Sequence, residues 1–366
     1  MSLRILAASS PGEVRIALAQ DDDLLDYAIW RVGAPDGVGD IHRGRVLTRV
    51  PAMAGAFVAL AGTEGFLPDS AGAAGLSDGD SVTVRVTRAA QSGKGPRLAL
   101  IATGTGGEVG LLERGPGVLL ELAERHPDAA VHMDDAALAA KLKQKLAGRL
   151  ALSTRVFNEA IEEQIASLEQ PSVELPGGAR LHIHPTPALT AIDVDAGGSV
   201  AARQGKTTLH MAANRAMLAP LARQIRLRNL SGAILVDFAG LPARRRASLA
   251  PALSAALAED PLRPRLLGFT ALGLAEIVRS RIHPPLHELL EGPHAAGLAA
   301  LRTIAADVAA TPHHHPALRA SPAVVAALQA DPMALSDLAR RTGRALMLRS
   351  DPTLQPTAWT IEAGDE

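Results

Sequence analysis

The chain has 366 residues, 47% of them hydrophobic, which is enough for two or three domains with sizeable cores and excludes global disorder. Its formal net charge is −1, so no overall basic field draws in nucleic acid and any such binding must come from local patches. It has no cysteine, which rules out disulfides, thiolate zinc sites and a cysteine nucleophile, and which suits a reducing cytoplasmic setting.

In chain order, Met1 to Ser10 carries one Arg and a short apolar stretch, with no signal peptide. No apolar run of about 20 residues follows, so membrane association is not expected. Residues 3–34 alternate in strand fashion, as in Val14-Arg-Ile-Ala-Leu-Ala. From Gly39 to about Ala102, short alternating strands separated by Gly, Pro, Asp and Ser predict a small all-β unit, and five such strands suit an OB-fold barrel. Thr103 to Gly117 reads as a glycine-rich linker. Val118 to Ala166 is helical in character, with amphipathic pieces at Asp134–Lys143 and Arg155–Ile165. Val173 to Ile192 returns to strands with a Pro-Gly-Gly turn at Pro176. A helix rich in Ala and Arg is expected over Thr208–Arg228, a buried strand over Ala233–Phe238 and a helix over Arg244–Glu259. A strand over Arg265–Phe269 and a helix over Ala271–Ser280 follow. His283 to His294 is rich in Pro and His and reads as a boundary, after which a small α+β unit closes the chain.

The motifs with chemical content are few. Ala188-Leu-Thr-Ala-Ile-Asp193-Val-Asp195-Ala-Gly-Gly198 and Gly232-Ala-Ile-Leu-Val-Asp237-Phe-Ala are apolar runs that end in carboxylates. Two such strands joined by a helix would set Asp193 and Asp237 side by side at the carboxyl edge of a sheet, where open sheets host their sites. Paired carboxylates suit Mg²⁺, which takes a few oxygen ligands plus water and phosphate. Ordinary strand-end or capping aspartates are the alternative. Phe57 and Phe66, with Lys94 in a Gly-Lys-Gly turn, could hold a single strand by stacking bases and meeting phosphate; equally, both rings could fill the barrel. Arg223, Arg226, Arg228, Arg279 and Arg281 could line a phosphate channel or form a solvated, salt-bridged face. Arg244-Arg-Arg246 reads as an exposed helix start. Gly205-Lys206-Thr207 resembles half a P-loop, but the required earlier glycine is Val200. His313-His-His315 is flanked by Pro and reads as a loop.

The aspartate segments, Arg223-Gln-Ile-Arg-Leu-Arg-Asn-Leu-Ser-Gly232 and Leu272-Gly-Leu-Ala-Glu-Ile-Val-Arg-Ser-Arg281 occur in an order that resembles the catalytic region of the ribonuclease E/G family. Gly39-Asp-Ile-His-Arg-Gly-Arg-Val, Ala56-Phe57-Val, Gly65-Phe66-Leu-Pro68 and Gly93-Lys94-Gly-Pro-Arg-Leu98 are similar to that family's RNA-binding insertion, and Leu301 to Ile361 is similar to the end of its shorter members. The resemblance covers roughly two-thirds of the chain. It implies an α/β and β mixed fold, in which an OB-fold RNA-binding barrel is inserted ahead of an α/β metal-dependent nuclease domain and a small α+β unit follows. The implied divisions are residues 1–38 as strands packing on the nuclease core, 39–102 as the barrel, 103–170 as linker and reduced helical segment, 171–285 as the catalytic domain and 286–366 as the C-terminal domain.

By the same resemblance, Asp193 and Asp237 are the magnesium ligands, Mn²⁺ being able to substitute, and Asp195 joins them as a catalytic residue. Phe57, Phe66 and Lys94 fall on RNA-contacting positions. The chain also departs from the pattern. Asp195 stands where an Asn is usual, and Ala216 where a Glu is usual. The interval that houses the family's 5′-phosphate sensor is short and has no Arg-Thr pair. The cysteines that share zinc between two chains are missing, and His283, His287 and His294 lie in their region. The expectation is a zinc-free, Mg²⁺-dependent endoribonuclease, monomer or weak homodimer, that cuts single-stranded RNA in processing or decay. The alternative is a non-catalytic RNA-binding paralogue, rRNA- or ribosome-associated, with a degenerate metal site.

Overall fold

The computed structural model describes residues 2–364 apart from 92, 105, 147, 176–177, 196–205 and 239, and apart from the side chains of 206–210. In chain order, β1 (Leu3–Ser10), β2 (Glu13–Gln20) and β3 (Asp23–Trp30) form a meander. The barrel strands β4 (Ile41–Val50), β5 (Gly55–Leu60), β6 (Thr63–Pro68), β7 (Ser81–Arg88) and β8 (Arg97–Thr103) come next, then β9 (Gly110–Glu113). The middle of the chain holds α1 (Val118–Arg125), β10 (Ala130–Met133), α2 (Ala136–Leu142), β11 (Leu150–Leu152) and α3 (Glu159–Leu168). It continues through β12 (Ser172–Leu175), β13 (Ala179–Pro185), β14 (Thr190–Asp195), α4 (Lys206–Leu227), β15 (Gly232–Phe238), α5 (Ala243–Arg246), α6 (Ala250–Leu257), β16 (Arg265–Phe269) and β17 (Ala275–Arg279). The chain closes with α7 (Leu286–Leu290), α8 (Gly292–Ala310), β18 (Pro316–Ala320), α9 (Pro322–Gln329), α10 (Pro332–Thr342), β19 (Met347–Ser350) and β20 (Trp359–Ala363).

These elements separate into two compact units, one built from residues 1–39, 115–159 and 288–366, the other from 40–114 and 160–287. In the first, the sheet runs β11-β10-β1-β2-β3. Its core joins Ile5, Ile16 and Val131 to Leu119, Leu122 and Leu142 of the neighbouring helices. The same unit contains the three-stranded sheet β19-β18-β20 with α8, α9 and α10 packed around Leu301, Leu318 and Leu328.

The second unit carries the barrel and a six-stranded mixed sheet. The barrel strands pair in the order β5-β6-β8-β7-β4, and β4 also pairs with β5, which closes the ring as in an OB-like barrel. Ala56, Val58, Leu67, Val84 and Leu98 alternate inward to fill it. The mixed sheet runs β12-β13-β14-β15-β17-β16, and its one parallel pair is β14 with β15, joined through α4. Ile192, Val194, Val236 and Ile277 put one face of this sheet against Leu221 and Ile225 of α4 and Leu253 of α6. The opposite face is the polar one.

Three expectations need correction. Residues 271–280 contain β17, a strand, because Ala275, Ile277 and Arg279 are buried while Glu276 and Val278 alternate outward, a period of two and not 3.6. The helical reading of 118–166 missed β10 and β11, short segments that pair in parallel with one another, β10 also lying alongside β1. The glycine-rich linker contains β9, which extends the edge of β4.

Candidate active site and RNA interface

Asp193 of β14 lies in parallel register with Asp237 of β15. Residues directly opposite one another on paired strands share a face, and the alternation confirms which one: Ile192 and Val194 are buried in the core, whereas Asp193 and Asp195 are exposed. The two carboxylates therefore stand side by side on the polar face at the carboxyl end of the parallel pair. Asp195 follows on the same face, with Arg180 of β13 as its cross-strand partner. Arg180 in turn pairs with Glu174. Residues 196–205, including Gly205 of the partial P-loop, lie outside the described residues, and Lys206 and Thr207 begin α4.

Two further side chains belong to this edge. His182 is the cross-strand partner of Asp193 on the other side from Asp237. Its signal in the sequence is the alternation Arg180-Leu-His182-Ile-His184, polar residues out of phase with buried Leu181 and Ile183. Arg246 of α5 donates to Asp237 Oδ1, and its Nε donates to the Leu241 carbonyl at 2.8 Å. The Arg246 side chain is only 15% exposed, against 49% for Asp237, so the reading of this residue as an exposed helix start is corrected.

Donor chemistry and placement suit a hard divalent cation: two carboxylates, open on one side, with no softer ligand between them. Among the described residues no group of three or more His, Asp or Glu side chains is placed to hold a metal. An ion here would take Asp193 and Asp237 from the protein and fill its shell from water and phosphate.

On the barrel, Phe57 and Phe66 are cross-strand partners on β5 and β6, half-buried, with ring centroids 5.5 Å apart and planes at 66°. Neither belongs to the barrel core, because the inward positions are held by Ala56, Val58 and Leu67. They form an outward-facing edge-to-face pair, so the alternative that they fill the barrel is set aside. Gly55 lies under the Phe66 ring, where any Cβ would overlap it. Lys94 is exposed at the tip of the β7–β8 hairpin, closed by the Gln91–Lys94 backbone bonds of 3.0 and 3.1 Å.

The five arginines expected to line a phosphate channel do not act as a set. Arg228 is buried and donates to the carbonyls of Ser167, Leu168 and Gln170 and to Gln224 Oε1, all between 2.8 and 3.0 Å. Burial lowers its pKa to about 10. Arg279 is buried against Asp260, Nε to Oδ2 being 2.7 Å, and also donates to Asn229 Oδ1 at 2.6 Å. Both are structural clasps whose donors face inward, so their assignment to RNA is corrected. Arg223 and Arg226 are half-buried on α4, Arg223 donating to Gln164 Oε1 at 2.9 Å. Arg281, just past β17, lies over Gly232, whose φ of +83° and missing Cβ leave room for the guanidinium.

A strand-end carboxylate pair thus stands on a mixed sheet with one parallel connection, and an OB-like barrel lies in the same unit. Residues 128–282 match the profile of the Ribonuclease E/G family, and over this segment the chain is similar to that family. It is 37% identical over 134 residues to "Ribonuclease E" of Nostoc sp., covering 36% of this chain and 19% of that protein. To "Ribonuclease G" of Escherichia coli K12 it is 33% identical over 147 residues, 39% of this chain and 30% of that protein. To "Ribonuclease E" of the same strain it is 36% identical over 134 residues, 35% of this chain and 12% of that protein. The chain thus spans less than a third of the length of these curated relatives. The profile match contains Asp193, Asp195 and Asp237 and does not reach Phe57, Phe66 or Lys94. Among the described residues no helix is long and apolar enough to cross a membrane.

Proposed function

We propose that the chain is a Mg²⁺-dependent endoribonuclease in which the barrel holds single-stranded RNA and the polar edge of the β14–β15 pair cuts it. The observation that carries this reading is the in-register placement of Asp193 and Asp237 on one open face. Asp193 and Asp237 would hold the ion, which when bound neutralises phosphate charge and makes a water nucleophilic at neutral pH. Asp195 adds a carboxylate on the same face, two residues further along β14. Phe57 and Phe66 supply ring surface for bases, a mode of holding RNA that tolerates any sequence, and Lys94 supplies a cation for the backbone. The test is a circular, unstructured RNA, which has no ends to attack, incubated with and without Mg²⁺. Linearisation that needs the ion supports the reading, and an intact circle in both Mg²⁺ and Mn²⁺ defeats it.

The second reading is a binding protein with a degenerate site, and Arg246 favours it. Its guanidinium already meets Asp237 where a metal would bind, and two cations compete for one carboxylate. Asp195 and Ala216, which replace the family's usual Asn and Glu, point the same way. Arg246→Gln distinguishes the two. If Arg246 only competes, the substitution raises Mn²⁺ affinity by about tenfold, corresponding to about 1.4 kcal/mol. If the site is degenerate, the substituted protein binds no Mn²⁺ either.

A further inference from the structure

We propose that Arg88, Arg97 and Arg281 form a phosphodiester site that grips the RNA backbone immediately beyond the bases stacked on Phe57 and Phe66. This rests on the RNA-binding reading above and names groups that it does not include.

Strand register sets out a continuous row across the outside of the barrel. Phe57 is opposite Phe66, Phe66 is opposite Arg97, and Arg97 is opposite Arg88. Directly opposed residues have Cβ atoms about 5 Å apart, so two rings are followed by two guanidinium stems at neighbouring positions. Arg88 reaches this face through a bulge. Val86 points into the core opposite Leu98, and strict alternation would send Arg88 inward as well. The register shift between Val86 and Arg88 inserts Thr87 as an extra residue and turns Arg88 onto the side of Arg97.

The third arginine comes from the α/β part of the same unit. The Ala89 amide donates to the Ile282 carbonyl at 2.8 Å, so the residue after Arg88 is bonded to the residue after Arg281. Gly232 lets the Arg281 guanidinium lie flat over the start of β15. Arg88 is half-buried, and burial, followed by the charges of Arg97 and Arg281, lowers its pKa. Among the described residues none of the three has a carboxylate partner, and the buried Arg88 Nε has no hydrogen-bond partner. The two fully buried arginines of this unit are engaged, Arg228 by three carbonyls and Arg279 by Asp260, whereas the half-buried Arg43, like Arg88, has a buried Nε without a partner. Three like charges brought together from three chain segments, one with an unused buried donor, are compensated by an anion. The planar, forked guanidinium matches phosphate oxygens, and a repeating phosphate backbone running off the Phe57–Phe66 pair fits the row.

The experiment measures binding of an unstructured RNA 12-mer by fluorescence anisotropy over a range of KCl concentrations. Wild type, Arg88→Gln, Arg281→Gln, Arg88→Lys and the distant control Arg340→Gln are compared, each checked by circular dichroism. Arg88→Gln and Arg281→Gln are expected to lower the slope of log affinity against log salt by about 0.7 each, with a loss of about three- to tenfold that is the same for every base composition. Arg88→Lys should keep the slope, and Arg340→Gln should match wild type. Wild type that binds RNA while both Gln variants keep its slope and affinity would overturn the site alone. Wild type that binds no RNA would overturn the functional reading and the site with it. Inorganic phosphate at matched ionic strength should displace RNA no better than chloride. Displacement from wild type but not from Arg88→Gln would make this a free-anion pocket and overturn the backbone assignment.

Discussion

Replacing Arg279 by Ala should unfold the barrel-containing unit before it changes RNA affinity in the protein that remains folded. The Arg279 and Asp260 side chains are 4% and 3% exposed, so both charges are almost fully desolvated and rely on one another. Removing one member of a buried pair costs about 3–5 kcal/mol, most of it from the charge left behind. Here Asp260 keeps one partner, the Leu262 amide at 2.8 Å, but Asn229 Oδ1 and the Leu230 carbonyl lose a donor as well. A loss of about 3–4 kcal/mol is expected, a factor of about 10² to 10³ in the unfolding equilibrium. Urea unfolding followed by far-UV circular dichroism reads it as a lower midpoint. The double substitution Arg279→Met with Asp260→Leu removes both charges and should recover most of the loss. An Arg279→Ala protein of wild-type stability that binds RNA more weakly would refute the clasp and restore Arg279 to the RNA surface.

Other expectations follow from the same structure. Phe57→Ala or Phe66→Ala should each weaken single-stranded RNA binding by about 1–3 kcal/mol by isothermal titration while leaving the melting temperature nearly unchanged, since neither ring fills the barrel; a large melting shift with unaltered affinity would reverse that assignment. Asp351 accepts from the Thr353 amide and hydroxyl at 2.8 and 2.6 Å and from Arg319 Nε at 2.7 Å, and these bonds, Thr353 first, lower its pKa to about 2. A lowered carboxylate pKa contributes stability that is present above the unfolded value near 4 and fades as pH falls towards 2. Asp351→Asn should therefore melt below wild type at neutral pH, with the gap narrowing between about pH 4 and pH 2; a constant gap across that window would contradict the assignment. Matched RNAs with 5′-monophosphate and 5′-hydroxyl ends should be cut at similar rates, because the interval between barrel and catalytic strands lacks the Arg-Thr pair; a strong preference for the monophosphate would show a terminal-phosphate pocket built from other residues.

The aspartate pair was legible because two simple signals coincide there. Apolar runs of strand length end in carboxylates, and a helix between them allows a parallel pairing, which β14, α4 and β15 realise. Arg246 was not legible, since its contact with Asp237, from the end of α5 to the end of β15, follows from no periodicity. Arg279 and Arg228 were misplaced for different reasons. Read as a helix, residues 271–280 spread Arg279 around a turn; as a strand they send it inward with Ala275 and Ile277. Arg228 follows helical spacing correctly, but the carbonyls it serves belong to residues about 60 positions earlier. Arg88 was hidden by the Thr87 bulge, which breaks the alternation that would otherwise have assigned its face.

The most direct test of the central claim is Mn²⁺ binding followed by electron paramagnetic resonance, with Mg²⁺ as competitor, on wild type, Asp193→Asn, Asp237→Asn and the double variant. Wild type should bind Mn²⁺ at a site that Mg²⁺ displaces, each single variant should lose affinity by tenfold or more, and the double variant should lose the site while its circular dichroism stays unchanged. Equal Mn²⁺ binding by wild type and the double variant would contradict the assignment of Asp193 and Asp237 as the metal-holding pair.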